Sequence, residues 1–120
     1  TLYGIPNCDT VKKARAWLTT HGLGHQFHDL KKEGVSAERL ATWCSTAGLD
    51  KVLNRKGTTW RGLTPTQQES AGQLEHALAL MQANTSLIKR PIVEWDSETE
   101  AQLTVGFSPE TWMKQIQPSA

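Results

Sequence analysis

The stretch LIKRPIVEW, residues 87–95, is the most constraining run in the chain. Its apolar flanks are strand-like, yet Pro91 interrupts them. A proline has no N–H to give to a ladder, so Pro91 excludes a regular central strand here and demands an edge, a bend or a cis peptide bond. A bend would carry backbone toward a pocket, and an edge strand is the plainer alternative.

The elements around it fall in a definite order. LYGI, residues 2–5, is a short apolar run before Pro6 and reads as a buried strand. The segment after Cys8 predicts a helix with Val11, Ala14, Trp17 and Leu18 on one face, capped by Asp9 or Thr10 and stopped at His21-Gly22. Residues 24–30, GHQFHDL, suggest a second strand with Phe27 inward. Ser36 is suited to N-cap a helix reaching about Ala47, with Leu40, Trp43, Cys44 and Ala47 on one face and Gly48 beyond its end.

LDKVL, residues 49–53, predicts a short helical turn before a polar stretch, residues 54–61. Thr64, Pro65 and Gln67 form a capping box with proline at the first helical position. They predict one helix that carries Leu74, Ala77, Leu78 and Met81 inward and ends near Asn84. DSETE, residues 96–100, reads as a turn between the Pro91 strand and AQLTVGF, residues 101–107, and Ser108-Pro109 starts a last helix. The expectation is β-α-β, several helices, then β-β-α. That is a single mixed α/β domain over residues 1–120, with a small four-stranded sheet flanked by helices.

Bulk properties fit this plan. A chain of 120 residues buries roughly two-thirds of its unfolded surface on folding, enough for a core without disulfides or metal. Net charge is +1, which gives no global electrostatic case for nucleic acid or an anionic membrane. Two cysteines make no disulfide framework. With no leader-like start and no apolar run long enough to span a bilayer, the expected compartment is the cytoplasm.

Cys8 stands at the mouth of the first helix. A thiol attacks only as thiolate, and helix N-termini and nearby cations favour that form. The unpaired N–H groups there also suit an oxyanion or a carboxylate. Lys12 adds positive charge, and Asp9 works against it. From position alone, a nucleophile and a half-buried structural thiol are both open. Cys44 shares a face with Leu40, Trp43 and Ala47 and reads as core. The sequence leaves a Cys8–Cys44 disulfide open.

The segments YGIPNCDTVKKARAWL, LNRKGTTWRGL, LIKRPIV and LTVGFSPE together resemble the arsenate reductase and Spx (ArsC-like) family, and within it the small YffB-type branch of glutathione-dependent reductases. The resemblance spans nearly the whole chain in order. It implies a thioredoxin-like fold with an ArsC-type helical insertion. It places Cys8 on the catalytic nucleophile, Arg55 and Arg90 on two arginines that hold the oxyanion, and Pro91 on the cis-proline. It implies a single-cysteine thiol reductase in which Asn7, Lys12, Arg55, Arg90 and Pro91 form the anion or glutathione site. Glutathione is the expected co-substrate, glutaredoxin a possible electron donor, and no tightly bound cofactor or metal is expected.

Two departures sharpen this. Arsenate reductases carry a further arginine where Gly106 stands, which weakens the case for arsenate and leaves room for a larger thiol ligand. Spx proteins, the rival reading, bind RNA polymerase, and many carry a C-x-x-C switch. Here Val11 fills the second position, so Cys8 must borrow its partner thiol. His25 and His28 read as surface histidines rather than metal ligands, because a strand would point them to opposite faces. Lys56 and Arg61 read as solvated or pocket-lining cations around Trp60, not as a nucleic-acid patch.

Overall fold

The computed structural model describes residues 1–95 and 102–116. The expected DSETE turn lies outside the described residues. Contacts divide the chain into two compact units, residues 1–29 with 90–120, and residues 30–89.

The first unit is built on a sheet of order β2-β1-β3-β4, from β1 (Leu2–Gly4), β2 (Phe27–Asp29), β3 (Ile92–Glu94) and β4 (Leu103–Val105). β1 pairs parallel with β2 and antiparallel with β3, and β3 pairs antiparallel with β4. Thus β1, β2 and β4 run the same way. Helix α1 (Asp9–Thr20) follows β1, and α8 (Pro109–Ile116) follows β4. The expected mixed four-stranded sheet with flanking helices is present.

Its core joins Leu2 and Val93 of the sheet to Val11, Ala14 and Leu18 of α1 and Trp112 of α8. Spacings of three and four residues put Val11, Ala14 and Leu18 on one helical stripe. Phe27 packs inward against this cluster, as its sequence position predicts. Trp112 is fully buried and meets Trp17, Trp95 and Phe107 edge to face, with centroids 5.6, 5.2 and 4.8 Å away. Its indole N–H is buried without an acceptor, which costs about 1–3 kcal/mol. Burial of the large ring offsets that loss. On the other sheet face Tyr3 donates its hydroxyl to Glu94 Oε1 at 2.6 Å.

The second unit is helical and interrupts the chain between β2 and β3, as the expected insertion does. It contains α2 (Leu30–Glu33), α3 (Ala37–Ala47), α4 (Leu49–Val52), α5 (Thr58–Arg61), α6 (Pro65–Ser70), α7 (Leu74–Ala83) and a 3-10 turn (Thr85–Leu87). Ser36 caps α3 by accepting from the Arg39 N–H at 3.1 Å. The Thr64–Gln67 capping box forms in both directions, at 3.1 and 2.9 Å. Leu40, Trp43, Cys44, Val52, Ala77, Met81 and Leu87 are buried. A bridge between Leu53 and Ile88 ties the end of α4 to the exit of the insertion.

Several expectations are corrected. The helix after Thr64 is two helices, because the chain turns at Gly72 and restarts at Leu74. Leu74 consequently opens a new helix and is 46% exposed rather than inward. The second strand is only Phe27–Asp29, since Leu30 already begins α2. The polar stretch 54–61 holds the short α5. Neither Asp9 nor Thr10 caps α1, because Cys8 itself has the extended N-cap backbone and the helix begins at Asp9.

Gly4 allows β1 and α1 to approach. A Cβ there would lie 2.8 Å from Val11 Cγ2 and 3.1 Å from Cγ1. Val11 is buried and β-branched, so it cannot swing away cheaply. Gly4→Ala should therefore lower unfolding free energy by about 1–3 kcal/mol. In denaturant titrations of the double-mutant cycle, Gly4→Ala should cost less when Val11→Ala is present. Strict additivity would remove the contact as the cause.

Candidate functional site

The sheet gathers the expected residues of the first unit at one end. Chain leaves the carboxyl end of β1 through Ile5, Pro6 and Asn7 to Cys8. Leu2 pairs with Val93 and Tyr3 with Ile92, so one further step of the same register sets Pro91 beside Gly4. The Arg90–Pro91 peptide is cis. The Pro91 carbonyl accepts from the Gly106 N–H at 2.8 Å, and Gly106 has φ 86°. The Cys8 loop, Asp29, Arg90-Pro91 and Gly106 thus all lie at the carboxyl ends of β1, β2 and β4. Ligand sites of open α/β sheets lie at such strand ends.

Cys8 is half-buried and free. Its carbonyl accepts the first helical hydrogen bond, from the Lys12 N–H at 2.9 Å, and no side chain caps the first-turn donors. The N–H groups of Asp9, Thr10 and Val11 therefore have no helical acceptor, and the helix dipole ends at the thiol-bearing residue. Asn7 and Lys12 are exposed on either side of it. Arg90 is half-buried, with its Nε shielded from solvent, and Pro91 is fully buried. Val11 is core, clamped over Gly4, so the second position of a C-x-x-C motif is structural here.

Arg55 belongs to the other unit. Its Nη1 donates to Asp50 Oδ1 at 2.7 Å, and its guanidinium carbon lies 5.6 Å from the Trp60 ring centroid. An exposed pair of this kind contributes about 0–1 kcal/mol, so Arg55 can exchange its partner at small cost. Arg61 is a loop brace, donating to the Lys56 carbonyl at 2.8 Å. Cys44 is a free, buried thiol, and burial pushes its pKa up, away from the reactive thiolate.

His25 and His28 are both half-buried. His28 packs its ring against Tyr3, with centroids 4.8 Å apart. His25 Nε2 accepts from Arg15 Nε at 3.3 Å. Burial first, and the Arg15 charge second, lower its pKa below the ordinary 6.5. Arg15, absent from the expected site, also stacks over the Phe27 ring at 4.3 Å. Its part depends on contacts with residues ten and twelve positions later, which helical spacing does not display.

The chain matches the ArsC family over residues 3–115, nearly its whole length. It belongs to the ArsC family. A solved structure of the YffB protein is 41% identical, covers 97% of each chain and superposes with a TM-score of 0.86. An arsenate reductase (ArsC) related protein from Brucella melitensis is 44% identical, covers 92% of this chain and 88% of its own, and has a TM-score of 0.71. The global transcriptional regulator Spx of Listeria innocua is 27% identical over 90% of this chain and 79% of its own length. The thioredoxin-like fold implied by the ArsC-like segments is thus established. Among the described residues, no helix is long and apolar enough to cross a membrane.

Two solution measurements check this geometry. Brief alkylation of the native protein at neutral pH should label Cys8 and spare Cys44, and unfolding in denaturant should expose both to labelling in peptide mass spectra. NMR titration should show His25 protonating below 6.5 and moving up toward it in Arg15→Gln. The unfolded chain takes up this proton at the higher pH. Stability contributed by neutral His25 is therefore present above about pH 6.5, falls as pH drops below it, and levels once folded His25 is protonated.

Proposed function

We propose that the protein is a thiol-dependent reductase that uses Cys8 as its single nucleophile and glutathione as the external thiol. The observation that carries this reading is Cys8 as the N-cap of α1, half-exposed, at the sheet end that also holds cis-Pro91. The family supports it, since it includes arsenate reductase-related proteins.

The chemistry is thiol–disulfide exchange. The Cys8 thiolate attacks one sulfur of a disulfide substrate, forms a mixed disulfide and releases the other sulfur as thiolate. A glutathione thiolate then attacks the substrate sulfur of that mixed disulfide, returning Cys8 as thiolate and leaving a substrate–glutathione disulfide. A second glutathione, or a glutaredoxin, reduces that product, so both electrons come from external thiols. Val11 rules out an internal resolving thiol at the second motif position. The first-turn N–H groups of α1 offer donors to the anionic sulfur that departs in each exchange. Asn7, Lys12 and Arg90 bind the anionic part of the ligand, Pro91 shapes the cleft, and the resemblance gives Arg55 an anion-holding role. Glycine at position 106 removes one arginine of the arsenate clamp and disfavours arsenate as substrate.

A second reading rests on the similarity to Spx. Under it the chain binds RNA polymerase, and Cys8 is dispensable.

Under the reductase reading, oxidised glutathione should leave a mixed disulfide on Cys8 in intact mass spectra. Cys8→Ser should abolish that adduct and reduce glutathione-linked turnover by at least about a hundredfold. Unchanged turnover in Cys8→Ser ends this reading. Retention of Cys8→Ser protein on purified RNA polymerase would favour the regulator instead.

A further inference from the structure

The flank of α1 beside Cys8 carries a second feature. Cys8, Lys12, Arg15 and Thr19 are spaced i, i+4, i+7 and i+11, which aligns them along one side of the helix. A cavity of about 430 Å³ opens along this side, with Pro6 at one end, Thr19 at the other, Lys12 and Arg15 on the helix and His25 across from them.

Arg15 is held on two sides, by the Phe27 ring at 4.3 Å from its guanidinium carbon and by His25 Nε2 at 3.3 Å from its Nε. Those contacts engage a face and the stem nitrogen, and Arg15 lines the cavity. Among the described residues neither Lys12 nor Arg15 makes an ion pair, and Asp9 on the adjoining face makes none with them. The cavity therefore presents two uncompensated cations, one of them a guanidinium whose position is already fixed.

We propose that this groove binds the carboxylate of a short peptide thiol, with Arg15 and Lys12 as its anion contacts and the ligand sulfur directed to Cys8. The proposal rests on the reading of Cys8 as a thiol-exchange nucleophile. A fixed planar fork suits a carboxylate, which it can meet with two parallel hydrogen bonds. Length agrees as well. Seven residues of helix from Cys8 to Arg15 rise about 10 Å, and the Arg15 side chain leans back toward the helix N-terminus, which shortens the span that a ligand must cover from a mid-chain sulfur to a terminal carboxylate. The methylene stems of Lys12 and Arg15, together with Ala16, give the ligand backbone an apolar wall.

The test uses the full chain carrying Cys8→Ser, in which no disulfide can form at this position, and S-methylglutathione, which cannot exchange. Binding is read by calorimetry and by amide NMR shifts. Saturable binding with shifts along Lys12 to Thr19 and at His25 is expected. Adding Arg15→Gln or Lys12→Gln should weaken it by about tenfold or more, Arg15→Lys should fall between, and Lys13→Gln on another face of α1 should leave it within about twofold. Esterified S-methylglutathione should bind at least as weakly as the acid does to Arg15→Gln. Affinity equal in Arg15→Gln and its parent, or no saturable binding at all, overturns the groove. Parallel turnover assays of the wild-type protein separate the two claims. Cys8-dependent turnover with Arg15-independent affinity removes the groove alone, whereas Arg15-dependent binding without Cys8-dependent turnover upholds the groove and removes the reductase.

Discussion

Every part of the first unit leans on β1, a strand of three residues. It is an inner strand and must pair on both edges, with β2 on one side and β3 on the other. Its alternation does the rest. Leu2 enters the core beneath α1, Tyr3 turns to the opposite face to reach Glu94, and Gly4 lets Val11 close over the strand. The pairing of Leu2 with Val93 joins residues about ninety positions apart. Loop closure cost grows only logarithmically, by about 0.6 kcal/mol per doubling. A helical insertion of residues 30–89 is therefore compatible with so short a central strand.

The same strand positions the candidate site. Because β1 ends where β3 begins, the loop bearing Cys8 and the cis Arg90–Pro91 peptide occupy one end of the sheet. The position that would hold a resolving thiol is a packing position, filled by a β-branched side chain against a glycine. A cysteine there would have to share the Gly4 contact, so the core and an internal switch compete for one site.

Much of this arrangement was legible in the residues, and the gaps have physical causes. Ser36 and the Thr64–Gln67 box announce helix starts because capping is local chemistry, settled within four residues. Pro91 announces its own backbone irregularity. Cys8 reads as standing at a helix mouth, but the cap falls on the cysteine rather than on Asp9, since boundary backbone angles are set by how β1 delivers the chain. The split between α6 and α7 hides from periodicity because both halves are helical and only Gly72 marks the turn. α5 is a single turn and has no periodicity to show. Arg15 and Arg55 acquire their meaning from His25, Phe27 and Asp50, contacts made by the folded chain outside the helical i, i+3 and i, i+4 spacings.

Gly106 departs from the arginine that the arsenate-reductase resemblance would imply in its backbone as well as in its side chain. Its φ of 86° lies where L-residues are strained, and its N–H is committed to the carbonyl of Pro91. An arginine here would meet about 1–2 kcal/mol of backbone strain before contributing any charge. The glycine therefore belongs to the same device as the cis-proline, holding the start of β3 against the end of β4. With that corner occupied by backbone, the cations at this end of the first unit are Arg90 and those of α1. The helix terminus, Lys12 and Arg15 are laid out along some 10 Å of helix, the layout that the proposed peptide-thiol groove requires.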